Sequence, residues 1–294
     1  MNYKVLANLL ILFFTLGYVN NTMSQQNVSD INRYYLKVES RDALFRIYLN
    51  GTPILRSEDD DTLSVIEPVN LWLVENENIL SFEILKPDED GGDLKPTDLK
   101  PTDLKPIIQA TLFLHDNTSE FPLSKKILAE IEHVSAEKIS YPIEKSVNFN
   151  YDDKVLPNLW NDASKIKLVN DSDKAEILKL TNALANSLID KKYDDAIKLQ
   201  KYKIQEDALA EGKSYSRIIE GVITSSYNWL DSQGELTSQP INPDEMMYSI
   251  CGNGQLVYLS KTNSEEAIVL ESDEVYFDVP IYFANIKGVW TIVR

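Results

Sequence analysis

At 294 residues and 33.5 kDa the chain is longer than one small domain ordinarily needs, so two domains with separate cores are the expectation. A hydrophobic fraction of 43% with 26% charged residues excludes a polytopic membrane protein, a collagen and a fully disordered chain. Asp and Glu outnumber Lys and Arg by 46 to 29, and the resulting net charge of −17 repels a phosphate backbone, which makes nucleic acid an unexpected partner.

Residues 1–24 read as a secretory signal. Lys4 supplies a positive start, and an apolar run follows from Val5 to Val19, interrupted by Asn8 and closed by Asn20-Asn21-Thr22. The run is shorter than the roughly 20 residues of a spanning helix. The mature chain is expected to begin near Gln25 and to be periplasmic or secreted, with an uncleaved anchor as the alternative. Four Asn-x-Ser/Thr tripeptides, at Asn27, Asn50, Asn117 and Asn170, would be glycan acceptors in a eukaryotic cell. Cys251, the single cysteine, cannot form an internal disulfide.

From 25 to 150 the apolar residues alternate. Phe45, Ile47 and Leu49 lead into the turn pair Asn50-Gly51, and Leu80, Phe82 and Ile84, then Ile108, Ala110, Leu112 and Leu114, repeat the pattern. Val69 to Val74 reads as a more continuous buried strand, and Val147 and Phe149 close the set. The expectation is an all-β sandwich of two packed antiparallel sheets. Inside it, 93–106 repeats a five-residue unit ending in Leu-Lys-Pro. A proline every fifth residue disfavours helix and ladder pairing alike, so the segment reads as an exposed loop.

A linker is expected over 151–172, and an α+β domain over 173–294. Asp173 with Glu176 signals a helix start. Ile177, Leu180, Leu184 and Leu188 form one apolar stripe. Tyr193, Ala196, Ile197 and Ile204 suggest a second helix, and Ile219, Val222, Ile223 and Leu230 a third. After Pro243 the pattern returns to strands: 246–250, 256–259, 267–270, 275–279, and a final hairpin over 282–292.

Three helices followed by antiparallel strands, ending in Pro280 to Arg294 with Gly288-Val289-Trp290 at the last turn, resemble the NTF2-like superfamily. That resemblance implies a curved sheet wrapped around helices as a cone with a pocket. It implies no particular activity, because the fold hosts enzymes, binders and interaction domains. The first half resembles, more weakly, galactose-binding-like β-sandwich modules. The resemblance rests on Ile47-Tyr48-Leu49-Asn50-Gly51 and on Leu73 followed by Glu77-Asn78-Ile79-Leu80, with Glu77 standing where such modules carry glycine.

Chemistry-bearing motifs are sparse. NTF2-like enzymes commonly pair a histidine with a carboxylate, whereas both histidines here, His115 and His133, precede residue 173. Asp231, Tyr227 and Tyr258 remain as a carboxylate or tyrosine donor set. Neither a zinc motif nor a cysteine pair is present, and the acidic runs 58–61 and 88–93 lack calcium-loop spacing, so no metal or cofactor is expected. Gly212-Lys213-Ser214 imitates the end of a phosphate loop without its leading glycine. Cys251 reads as structural. The aromatic residues Tyr227, Trp229, Tyr258, Tyr282 and Trp290 are the candidates for lining a pocket or anchoring an interface. The function expected is a non-enzymatic exported binding protein, of immunity or inhibitor type, for a basic protein partner. The alternatives are a small-molecule enzyme or binder using the cone pocket, and a glycan-binding envelope protein.

Overall fold

The computed structural model describes residues 32–57, 62–85, 105–115, 124–134, 140–151, 159–262, 265–272 and 275–294. The signal segment, the repeat through residue 104, both acidic runs and the tripeptides at Asn27 and Asn117 lie outside these residues. Strand residues outnumber helical ones, and every paired sheet is antiparallel. Two compact units are distinguished, Ile31–Leu156 and Pro157–Arg294. No described helix is long and apolar enough to cross a membrane.

The first unit holds eight strands: β1 (Tyr34–Arg41), β2 (Leu44–Leu49), β3 (Thr52–Arg56), β4 (Leu63–Pro68), β5 (Asn76–Leu85), β6 (Ile107–His115), β7 (Ser124–Val134) and β8 (Ile143–Tyr151). They form two four-stranded sheets, ordered β4-β1-β6-β7 and β3-β2-β5-β8. The alternation read from the sequence is the burial pattern up to Leu112, where a bulge in the β6–β7 pairing shifts the face, so that Phe113 is buried and Leu114, expected on the buried side, is only half-buried. Leu36 and Val38, Phe45, Ile47 and Leu49, Leu80, Phe82 and Ile84, and Ile108, Ala110 and Leu112 are each at most 1% exposed. Asn50 and Gly51 form the two-residue β2–β3 turn with φ of 55° and 73°, the left-handed pair that such hairpins need.

Two local expectations change in this unit. The apolar run 69–74 is not a strand: Asn70–Trp72 is a 3₁₀ turn, and Val69 and Leu73 are apolar because they are buried on either side of it. Asn50 is no glycan acceptor in the folded chain. It is 5% exposed, and its Nδ2 donates to Asn78 Oδ1 (2.8 Å) and to the Trp72 carbonyl (3.0 Å).

In the second unit the helices are α1 (Leu159–Asp162), α2 (Asp171–Ile189), α3 (Tyr193–Leu199), α4 (Lys201–Glu211), α5 (Tyr215–Gly221) and α6 (Asn228–Ser232), with a π-helical turn at Val222–Tyr227 joining the last two. The seven strands are β9 (Thr237–Ser238), β10 (Met246–Cys251), β11 (Leu256–Lys261), β12 (Ile268–Glu271), β13 (Tyr276–Val279), β14 (Ile281–Ile286) and β15 (Val289–Ile292). Their sheets are ordered β10-β11-β14-β15 and β13-β12-β9. The two sheets share one long hairpin. β11 pairs with β14 and β12 with β13, and the hairpin breaks where Pro280, lacking an N–H, stands opposite the excursion after β11. Ile177, Leu184 and Leu188 of α2 pack with Val257, Leu259, Ile268, Phe283 and Ile292 into one core.

Of the segment expected as a linker, residues 159–172 are instead built into this unit. Leu159 is fully buried with its N–H on Glu206 Oε2 (3.2 Å), and Ala163 forms an antiparallel bridge to Ile286. The buried Gln255 donates its amide to the Trp160 and Ala163 carbonyls at 2.9 and 3.0 Å. The helix start also moves. Asn170, not Asp173, caps α2, with Asp173 as the reciprocating residue of a capping box. Gly212-Lys213-Ser214 is a helix junction, where Gly212 at φ 65° closes α4 and Ser214 caps α5.

Candidate functional site

The five aromatic candidates fall on two faces of the second unit. Tyr227, Trp229 and Trp290 belong to the core between helices and sheet. Tyr258 and Tyr282 face the other way: they are cross-strand partners on β11 and β14, flanked by the pairs Val257–Phe283 and Leu259–Ile281 whose side chains enter the core. The register fixes this division, because neighbouring residues on a strand point to opposite sides.

Tyr227 closes the π-helical turn and stacks on Tyr193 of α3, with ring centroids 4.3 Å apart and planes 8° from parallel. The Tyr193 hydroxyl donates to Asp231 Oδ1 (2.8 Å), and the Lys191 ammonium lies 3.3 Å from the same carboxylate. Burial pushes the Tyr227 phenol up to about 12. Burial also raises Tyr193, and the Asp231 carboxylate adds to that shift. Both phenols therefore stay protonated at neutral pH; Tyr193 donates to Asp231, and the Tyr227 oxygen accepts from the Gln200 side-chain amide at 3.4 Å. Within the wide turn the Thr224 and Ser225 hydroxyls donate back to the Glu220 and Gly221 carbonyls. Tyr227 and Asp231, singled out in the sequence, are thus brought into one cluster through Tyr193. The turn leaves Ile223, expected on the buried stripe, 38% exposed.

Tyr258 stands apart from that cluster. Its hydroxyl donates to Glu266 Oε1 at 2.6 Å, a charge-assisted bond, and its ring stacks on Tyr282 at 4.9 Å. Glu266 is buried and reaches this position because the excursion after β11 folds back, bridging Ser260 to Glu266.

Trp290 is a structural anchor. Its indole N–H donates to Asp173 Oδ1 (2.9 Å), while Asp173 Oδ2 accepts from the Asn170 backbone N–H (3.1 Å), so one carboxylate ties the last hairpin to the start of α2. Trp229 packs its edge against Phe277, centroids 5.8 Å apart. Cys251 is buried at the end of β10. The two histidines occupy opposite ends of the β6–β7 ladder, His115 opposite Ser124 and His133 opposite Ile108.

A second buried polar group was missed by the sequence reading. Arg294, Glu206 and Asp207 are each at most 5% exposed; the Arg294 guanidinium is 3.9 Å from Glu206, and Lys203 lies 3.6 Å from Asp207. Burial lowers the Arg294 pKa, and the two carboxylates oppose that shift. Neither Glu206-Asp207 nor Glu266 carries a sequence signal, because acidic residues are abundant along the whole chain. Tyr193 was visible only as an apolar position of a helix. Comparisons of this chain with protein-family models, with curated proteins and with solved structures return no match.

Proposed function

We propose that this chain is an exported, non-enzymatic binding protein whose partner is a protein with a basic surface, built from an N-terminal β-sandwich and a C-terminal NTF2-like unit. The observation that carries the reading is that the aromatic candidates are engaged in framework contacts. Trp290 is hydrogen-bonded to the helix cap, Tyr227 is stacked on Tyr193, Trp229 packs on Phe277 and Tyr258 is bonded to Glu266. Side chains held in this way stiffen a scaffold and favour recognition by its surface. The charge of −17 gives that surface its sign and speeds encounter with a cation-rich partner. Neutralisation of a cationic toxin outside the cytoplasm is a concrete form of such a role. The test is capture of partners from the source cell on immobilised protein at low and high salt. Salt-sensitive retention that charge-reversed variants lose is the expected result, and no retention, or equal retention by those variants, overturns the reading.

One observation favours the small-molecule alternative. Half-buried Tyr258 and buried Glu266 form a polar pair beside the Tyr282 ring, groups that a binder of a small polar ligand could use. Ligand-induced thermal stabilisation that Tyr258→Phe abolishes would support it.

A further inference from the structure

Sheet edges expose unpaired backbone groups, and proteins usually blunt them with charges, prolines or short length. Seven of the eight edge strands described here follow that rule. β4 carries Glu67 and Pro68, β3 carries Pro53 and Arg56, β7 carries Lys125, Lys126, Glu130 and Glu132, and β8 carries Glu144 and Lys145. β9 is two residues long, and β13 and β15 are four. The exception is β10, Met-Met-Tyr-Ser-Ile-Cys, six residues without a charge or a proline. Among the described residues it pairs on one side only, with β11. Its exposed large side chains, Met247 at 42% and Ile250 at 40%, fall on opposite faces of the sheet, so an added strand would find apolar cover above and below.

We infer that β10 is a docking edge that takes an extended, lysine- or arginine-bearing segment of another protein as an additional antiparallel strand. The inference rests on the binding-protein reading above and names the place and manner of contact. Charge selects the occupant. A second copy of the chain would bring another −17 to the edge, whereas a basic segment is attracted, and the exposed Asp244 and Glu245 immediately before β10 mark where its cations would lie. Two cations beside β10 already have carboxylate partners: Lys174, over the Tyr248 ring at 5.9 Å, faces Asp171 at 3.4 Å, and Lys261, opposite Met246 on β11, faces Glu265 at 2.9 Å. Outward backbone groups on alternate residues of Met246–Ile250 would supply attachment, and alternate side chains beside Met247 and Ile250 would supply selectivity.

The test uses the protein with two synthetic hexapeptides of equal charge. One alternates lysine and valine, and the other has its central valine replaced by proline, which cannot donate along an edge. Amide hydrogen exchange is followed with each. The expected result is slowed exchange confined to β10 with the first peptide and at least tenfold weaker binding of the second. Ile250→Lys should weaken the first peptide at least tenfold, while Val289→Lys, at a side chain 63% exposed on β15, leaves it unchanged. Equal binding of both peptides, or protection elsewhere than on β10, overturns the inference. So does concentration-dependent dimerisation that protects β10 without peptide. Partner capture that survives Ile250→Lys sinks this edge but leaves the binding-protein reading standing, whereas absence of any partner removes that reading itself.

Discussion

Asn78 holds the backbone that leads into β5. Its Oδ1 accepts from the Val74 N–H (2.9 Å) and the Asn50 amide (2.8 Å), and its Nδ2 donates to the Val74 (2.8 Å) and Asn76 (3.1 Å) carbonyls. Asn50 Oδ1 in turn accepts from the Ile79 N–H at 3.0 Å. Replacing Asn78 with Ala leaves buried groups unpaired, so a loss of about 2–4 kcal/mol is expected in chemical denaturation. The sequence flagged both asparagines through the sandwich resemblance, and the fold joins them. Glu67 was not flagged. It stands on β4 opposite Leu36, sharing the inward face of Val65, and burial pushes its carboxyl up to about 7. An unfolded Glu titrates near ~4.3. The folded protein therefore keeps a proton that the unfolded chain releases, and stability is fullest below that value and falls as pH rises toward 7. Glu67→Gln should flatten this profile. Allowing for partial exposure, the variant is expected to be about 1–2 kcal/mol more stable than wild type at pH 8 and equal near pH 4, as read from urea midpoints.

Among the elements, those with a strong apolar period were legible, and so were the edge strands β8, β10, β13 and β15, whereas the edge strands β4 and β7 and the inner strand β1 were not singled out. β2, β5, β6 and α2 bury one side completely, so their periods of two and of 3.6 stand out in the sequence. β7 and β4 escaped notice because edge strands carry charges that break alternation, as Lys125, Lys126, Glu130 and Glu132 do. The start of α2 shows what a sequence reading of caps can miss. Asn170 and Asp173 cap reciprocally, and Asp173 also receives the Trp290 indole from 117 residues away. Asp173→Ala should cost about 2–4 kcal/mol, combining a lost cap with an unpaired indole N–H, whereas Asp173→Asn, which retains an acceptor, should cost about 1 kcal/mol. Thermal denaturation of the pair separates the two contributions. The buried Arg294 makes a parallel case. Arg294→Met removes the guanidinium that faces the buried Glu206 and Asp207 carboxylates, and a loss of about 3–5 kcal/mol is expected from denaturant titration.

For the whole molecule, length and the change of period led to the expectation of two domains, and the described residues divide into two compact units at Leu156/Pro157. Among the described residues, the buried core cluster of the second unit runs from Val169 to Ile292, with Ile166 packed against it. Calorimetry of the whole chain should therefore resolve two transitions, with Asn78→Ala lowering one and Asp173→Ala the other. A single transition shifted equally by both variants would refute the independence of the cores. The linker expected over 151–172 is where sequence and structure part. Its polar composition suggested a connector, yet Leu159, Ala163 and Val169 are buried, and Gln255 and Glu206 hold its backbone. By itself, the sequence determined the alternation that builds the sheets, the stripe of α2, the Asn50-Gly51 and Lys287-Gly288 turns, and the acidic surface, because each depends on neighbours in the chain or on composition. Only the tertiary structure decided which aromatic residues share a face, which carboxylates become buried, where the linker is anchored and which strand is left with an unprotected edge. Those outcomes depend on register and packing between residues tens of positions apart, and a polar residue carries no local mark of the partner that the fold will bring to it.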